Sequence, residues 1–267
     1  MGLLCRGAQM ESPIPDPVTL LKEIRANQIK LEEIRENYTF HELIRTDTLD
    51  RNDAVKESTS TESEVFFVNG KRIRRLVKKD GAELSPRDRE HEQNRVMKEI
   101  GSDLKAGPGQ RQGRGGGGRN GFILEVLAVA KISNARRISF RGRPTVTFDF
   151  VGDPHASSHG AEQNAGKKMA GTLWIDDADR QVARLEVHFY ENFRMAGGLL
   201  VSVQKGTGVI VDQSPLGDGL WMQTAQEIHL AARVVVKSLH ENLHTQDFDF
   251  KKFDIGTVQK INSPRTQ

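Results

Sequence analysis

The residues best spaced for chemistry are His240-Glu241-Asn242-Leu243-His244. On a helix, histidines at i and i+4 share a face and ligate zinc, while the glutamate activates the metal-bound water. The flanks argue for a strand instead. Val234-Val235-Val236 precedes, and Phe248, Phe250 and Phe253 follow, all residue types enriched in strands. At about 3.3 Å per residue the two imidazoles of a strand stand roughly 13 Å apart, too far for one zinc. The pentapeptide therefore reads as a chance match, and the chain as a non-enzyme needing neither metal nor cofactor.

The other polar groupings are weaker. His155 and His159 lie in a Ser- and Gly-rich stretch without periodicity and read as solvated loop residues. Asp176, Asp177 and Asp179 lack the central Gly and distal Glu of a calcium loop, so a turn between strands is expected there. The single cysteine, Cys5, excludes a disulfide scaffold.

Basic residues make the next cluster. Lys71, Arg72, Arg74, Arg75, Lys78 and Lys79 place six cations in nine positions, and Arg111, Arg114 and Arg119 sit among the eight glycines of Gly107–Gly121. Such charge can neutralise phosphates, yet neither stretch holds an aromatic residue on which a base could stack. Nucleic acid is thus a disfavoured partner. The run reads first as the guard of an exposed edge strand. An interaction module built on this basic hairpin and the Gly/Arg loop, for protein or nucleic acid, is the alternative function, and attraction to anionic lipid headgroups is a further use.

These residues must be positioned by the elements around them. Asp16 can cap a helix, Pro17 suits its first position, and Leu20, Leu21, Ile24, Leu31 and Ile34 make an apolar stripe. From Tyr38 the period becomes two, and a second β-like run spans Val55 to Val68. Asn69-Gly70 between β-prone runs predicts a two-residue hairpin. Asp80-Gly81 is a turn, and Ser85-Pro86-Arg87-Asp88 opens a charged surface helix to about Ile100, with Val96, Met97 and Ile100 available for burial. After the Gly-rich loop the chain is β in character, with runs at 122–132, 137–151, 171–176, 181–190, 207–213, 219–230 and 233–254. The stretch 155–169 reads as a loop or poor helix, and Gly197-Gly198-Leu199-Leu200 as an apolar segment lying over a core or cavity. Short strands joined by turns predict an antiparallel meander.

Composition narrows the class. Thirty-nine Lys and Arg against 36 Asp and Glu leave a net charge of only +3, too small to announce a polyanion binder. No run approaches the roughly 20 apolar residues of a membrane-spanning helix. Met1–Gln9 lacks the apolar core of a secretory signal, which leaves the cytoplasm open as a location.

Gly171-Thr172-Leu173-Trp174-Ile175-Asp176, continued by Asp179-Arg180-Gln181-Val182-Ala183-Arg184-Leu185-Glu186, resembles the outer-membrane lipoprotein-sorting and carrier proteins, and more closely an uncharacterised bacterial branch of that half-barrel superfamily. Gly197-Gly198-Leu199-Leu200, Lys205-Gly206 and Trp221-Met222-Gln223-Thr224 continue the pattern. The N-terminal helix, Glu36-Asn37-Tyr38-Thr39-Phe40 and Val65-Phe66-Phe67-Val68-Asn69-Gly70 extend it over most of the chain. In one place it departs: the family's Trp-x-Pro-Ser/Thr is here Trp221-Met222-Gln223-Thr224, without the proline.

The resemblance implies a mainly β, α+β fold: a curved antiparallel sheet forming a half-barrel with helices against its concave face. It also implies a carrier of a lipid or lipoprotein acyl chain, located in the periplasm or cell envelope, with a membrane surface or another envelope protein as further partners. Alternating apolar positions supply the lining candidates Phe148, Phe150, Leu173, Ile175, Leu185, Val187, Phe189, Val209 and Val211. Each buried CH₂ is worth about 0.8 kcal/mol, so an acyl chain can be held by area alone. The expected organisation is a flexible terminus at 1–15, one half-barrel domain at 16–254 with the Gly/Arg-rich loop at 106–121, and a tail at 255–267.

Overall fold

The computed structural model describes residues 13–106, 125–195, 201–217, 219–234 and 237–252. The N-terminal stretch with Cys5, the Gly/Arg loop, Gly197–Leu200 and the tail from 253 lie outside the described residues.

Helix α1 (Pro17–Arg35) begins where the sequence predicts, with the Thr19 backbone N–H donating to the Asp16 carboxylate at 2.9 Å. Its buried face differs from the apolar stripe. Leu20, Ile24, Gln28, Leu31 and Arg35 are buried, while Ile34 is 44 % exposed. A helix buries one line of residues spaced by three and four, and that line runs through two polar side chains because each finds partners. Gln28 Nε2 donates to Gln181 Oε1 at 3.1 Å, and Arg35 donates through Nε and Nη2 to the Trp221 carbonyl and through Nη2 to Gln213 Oε1.

The strands follow as β1 (Tyr38–Leu49), β2 (Val55–Val68), β3 (Lys71–Lys79) and β4 (Ala82–Glu83), then helix α2 (Pro86–Ala106). Next come β5 (Ala130–Phe140), β6 (Arg143–Gly152), the short helix α3 (Gly160–Gly166), β7 (Met169–Asp176) and β8 (Val182–Phe189). Strands β9 (Phe193–Met195), β10 (Val201–Val203), β11 (Gly208–Gly217), β12 (Leu220–Val234) and β13 (Lys237–Lys252) complete the order. The β2–β3 turn is the predicted one, with Asn69 and Gly70 at φ 50° and 78°.

Part of the run expected as strand at 122–132 is instead a helical turn at 125–128, which buries Val126 and Leu127. A short apolar run has no periodicity that separates strand from helix. The strand expected at 137–151 is a hairpin bent at Arg141-Gly142, and 155–169 contains α3. Strands β9 and β10, too short to show a period, went unseen in the sequence.

All the strands join one antiparallel sheet in the order β4-β3-β2-β1-β13-β12-β11-β8-β7-β6-β5, with β10 pairing the far end of β12 and β9 pairing β10. The sheet is mainly β in class and does not close, which is the half-barrel arrangement. Its apolar face along β5–β11 packs on Leu20 and Ile24 of α1, on the turn at 125–128 and on Ala165 of α3. A second cluster gathers Leu31, Phe40, Val65, Leu220, Trp221 and Met222.

Helix α2 lies against β3 and β2, near one edge of the sheet. Val96 is buried there, but Met97 is 61 % exposed, since a helix this charged has only a narrow line to bury.

Candidate functional site

The register of four strands brings the lining candidates together. Val211, Leu185, Leu173 and Phe148 stand side by side across β11, β8, β7 and β6. One row along, Val209, Val187, Gly171 and Phe150 do the same. Ile175 lies opposite Val146, and Phe189 opposite Met169. Alternate side chains of a strand share a face, so each row adds to one apolar surface. Gly171 is required where it stands: a Cβ there would meet the Glu186 carbonyl oxygen at 1.9 Å and the Phe150 ring at 3.0 Å.

Eight of the nine candidates are buried and Val209 is partly so. In this conformation they pack on one another and on the covering helices, as core does. Contributors outside the candidate set are Val146, Met169 and Val182 on neighbouring positions, and the cover supplied by Leu20, Ile24, Val126 and Leu127. The opposite face of the same strands is polar. Arg184 pairs with Glu186 and Asp212, Arg141 with Asp212, and Arg136 with Asp149.

The apolar core reaches the surface beside α3. Phe193, packed against the cluster, stacks on the buried Phe189 with ring centroids 6.0 Å apart. Phe193 also helps to line an open cleft of about 590 Å³, together with Pro154, Ala161, Lys167, Tyr190 and Arg194. The Tyr190 hydroxyl donates to the Lys167 carbonyl at 2.6 Å and fixes the wall. Lys168 pairs with Glu191 at 3.2 Å. Sequence reading missed this cleft because its residues come from 154–168 and 190–194, which share no period.

The HExxH stretch lies on β13, in the middle of the sheet. Strand alternation puts His240 and His244 on one face and Glu241 on the other. The Asn242 side chain between the two histidines contacts His229 at 2.7 Å. Among the described residues no group of three His, Cys, Asp or Glu side chains could hold a metal. His155 and His159 are exposed, with backbone N–H groups held by Asp153 and Gln163.

The Asp176–Asp179 segment is the β7–β8 turn. Arg143 bonds Asp176 and, at 2.9 Å, Asp179, while Asp177 pairs with Arg137 and Arg180. Trp221 Nε1 donates to Asp179 at 3.0 Å. The carboxylates of this turn are thus engaged by guanidinium groups. Burial pushes the Asp176 carboxyl up, but Arg143 and the backbone N–H groups of Asp179 and Ala178 outweigh it and hold it below the usual carboxylate range.

The basic run is likewise matched by carboxylates. Arg72 and Arg74 both bond the fully buried Glu42; Arg75 pairs with Glu64, Lys78 with Glu62 at 2.9 Å and Lys71 with Glu99 at 3.2 Å. Lys79 stands near the cleft between α2 and β3. Glu62 holds the Lys78 ammonium above its usual range, as expected of a charge engaged locally. This geometry favours edge protection over phosphate binding for the run.

No family model and no curated protein matches the sequence. Among solved structures, the chain is similar to a Vibrio parahaemolyticus domain described as an outer membrane lipoprotein-sorting protein, at 10 % identity and TM-score 0.36, covering 90 % of this chain and 98 % of that one. It is similar to a DUF1329 family protein from Desulfovibrio piger, at 9 % identity and TM-score 0.38, covering 91 % and 95 %. A LolA superfamily protein from Nitrosomonas europaea matches at 13 % identity and TM-score 0.30, covering 90 % and 97 %.

Proposed function

We propose that this chain is a non-enzymatic carrier that holds the acyl chain of a lipid or lipoprotein on the apolar face of its sheet. One observation supports the reading above others: the apolar face of an open sheet is covered by helical pieces, and its core continues to the surface at Phe193. A sheet covered by a second sheet has no comparable piece to move. The location in the bacterial cell envelope rests on the sequence resemblance.

Because the candidate lining is packed, an incoming chain must replace part of its cover. One such piece is the first half of α1, which contributes Leu20 and Ile24. Exposing two such side chains costs about 3–6 kcal/mol. Burying about 14 methylenes returns roughly 11 kcal/mol. Association itself costs at least about 4 kcal/mol. The exchange is therefore at most weakly favourable, which suits a carrier that must also release its cargo.

Titration with a fluorescent fatty acid, displaced by unlabelled acids of increasing length, tests the proposal. Affinity should rise about fourfold per added methylene, and Leu20→Ala should take up the probe more readily than the wild type. Absence of uptake by folded protein, or affinity independent of chain length, would overturn the carrier reading.

A further inference from the structure

The cleft beside α3 has a chemistry that the acyl-chain reading does not require. Its lining holds three cations, Lys167, Lys168 and Arg194, against one carboxylate, Glu191. Lys168 is engaged by Glu191 and by the Asn192 carbonyl at 3.4 Å. Lys167 and Arg194 have no ion-pair partner among the described residues. By contrast, Arg72, Arg74, Arg75, Arg136, Arg137, Arg143 and Arg184 on the sheet each meet a carboxylate. Here two unmatched cations share one concave, partly apolar wall.

Between them and the interior stands Phe193, whose ring stacks on the buried Phe189. A ligand anchored by charge at the rim would lay its next few carbons along Phe193, toward the core. The volume of about 590 Å³ lies within the range of small-molecule sites.

Building on the acyl-chain reading, we propose that this cleft is the head-group site for a single-chain anionic amphiphile, with Lys167 and Arg194 binding the anion and Phe193 and Tyr190 receiving the first part of the chain. A carboxylate and a phosphate monoester head offer the same chemistry to these cations: negative oxygens that accept charge-assisted hydrogen bonds. A neutral head loses those bonds, and a cationic head is repelled.

Isothermal titration of the whole chain with laurate, dodecanol, dodecyl phosphate and butanoate, each below its aggregation concentration, tests the site. Laurate and dodecyl phosphate should bind at least about tenfold tighter than dodecanol at low salt, since hydrogen bonds to charged groups are worth a factor of that order. The double variant Lys167→Ala, Arg194→Ala should lose that preference and keep its affinity for dodecanol; the charge reversal Lys167→Glu should weaken laurate further. Circular dichroism confirms that each variant is folded.

Equal binding of laurate and dodecanol by the wild type overturns the head-group site while leaving the acyl-chain reading standing. Retention of the preference by the double variant places the anion elsewhere and also overturns it. Butanoate binding as tightly as laurate would show a small-anion site without a chain. Failure of all four ligands removes both readings.

Discussion

Asp176 closes β7 with its carboxylate held by Arg143 and by the backbone N–H of Asp179 at 2.8 Å. Its folded-state pKa lies below the ordinary value. The resulting stabilisation is therefore complete above the unfolded-state pKa, near 4, and is lost as pH falls through the lower, folded-state value. Asp176→Asn should cost about 2 kcal/mol at neutral pH, because it breaks the charge-assisted bonds of a buried carboxylate to a half-exposed guanidinium and to backbone N–H groups. In urea unfolding at a series of pH values, the gap between variant and wild type should narrow as pH falls from about 5 to about 2. A gap that ignores pH would show that the charge is not its source. Gly171 makes a steric test at the same scale. Gly171→Ala forces a Cβ into the Glu186 carbonyl, and denaturant unfolding should show a loss above about 3 kcal/mol. A loss below about 1 kcal/mol would mean that the two strands part easily there.

At the scale of elements, β3 shows how the sheet manages its edge. Among the described residues only the two-residue β4 pairs its outer side, and its backbone groups are met by α2. The Leu76 N–H donates to Glu92 at 2.7 Å, and Arg95 donates to the Arg74 carbonyl. Arg95 also bonds Glu92 and, despite burial, holds its carboxyl below the usual range. Side chains of a helix thus replace a neighbouring strand, which blocks pairing with other chains. The double variant Glu92→Ala, Arg95→Ala should lose about 1–2 kcal/mol, speed hydrogen exchange at the Leu76 amide and aggregate more on heating. An amide as protected as in the wild type would remove this role from α2.

At the scale of the molecule, β13 joins two halves distant in sequence. It pairs with β1 on one side and β12 on the other, over most of its length. A chain ending at residue 236 would leave both neighbours with bare edges. It should unfold without a cooperative transition and aggregate, as read by circular dichroism in urea and by light scattering. A cooperative transition of undiminished steepness would show that β1–β4 do not depend on β13. The charges of the basic run are matched within the β1-β2-β3 meander instead: Glu42 on β1 reaches across β2 to Arg72 and Arg74 on β3.

Features carried by a few neighbouring residues were legible in the sequence. Asp16-Pro17 marks the start of α1, Asn69-Gly70 the hairpin and Ser85-Pro86 the start of α2, because capping and positive φ are local requirements. The alternation of Leu185, Val187 and Phe189 against Arg184, Glu186 and His188 likewise assigns faces of β8 correctly. Apolarity alone, however, selected Ile34 over Gln28 and Arg35 for burial, since nothing nearby reveals that Gln181, Gln213 and the Trp221 carbonyl await them. The jump from β11 to β8 past β9 and β10, and the cleft that gathers Lys167, Phe193 and Arg194 at the end of the core, were equally hidden. The antiparallel β character, the caps and turns and the apolar rows follow from local sequence, because they depend on propensity and period within a few residues. Which strands pair, which cations are matched and where the core meets the surface emerge in the folded chain alone, because they depend on contacts between segments brought together from far apart.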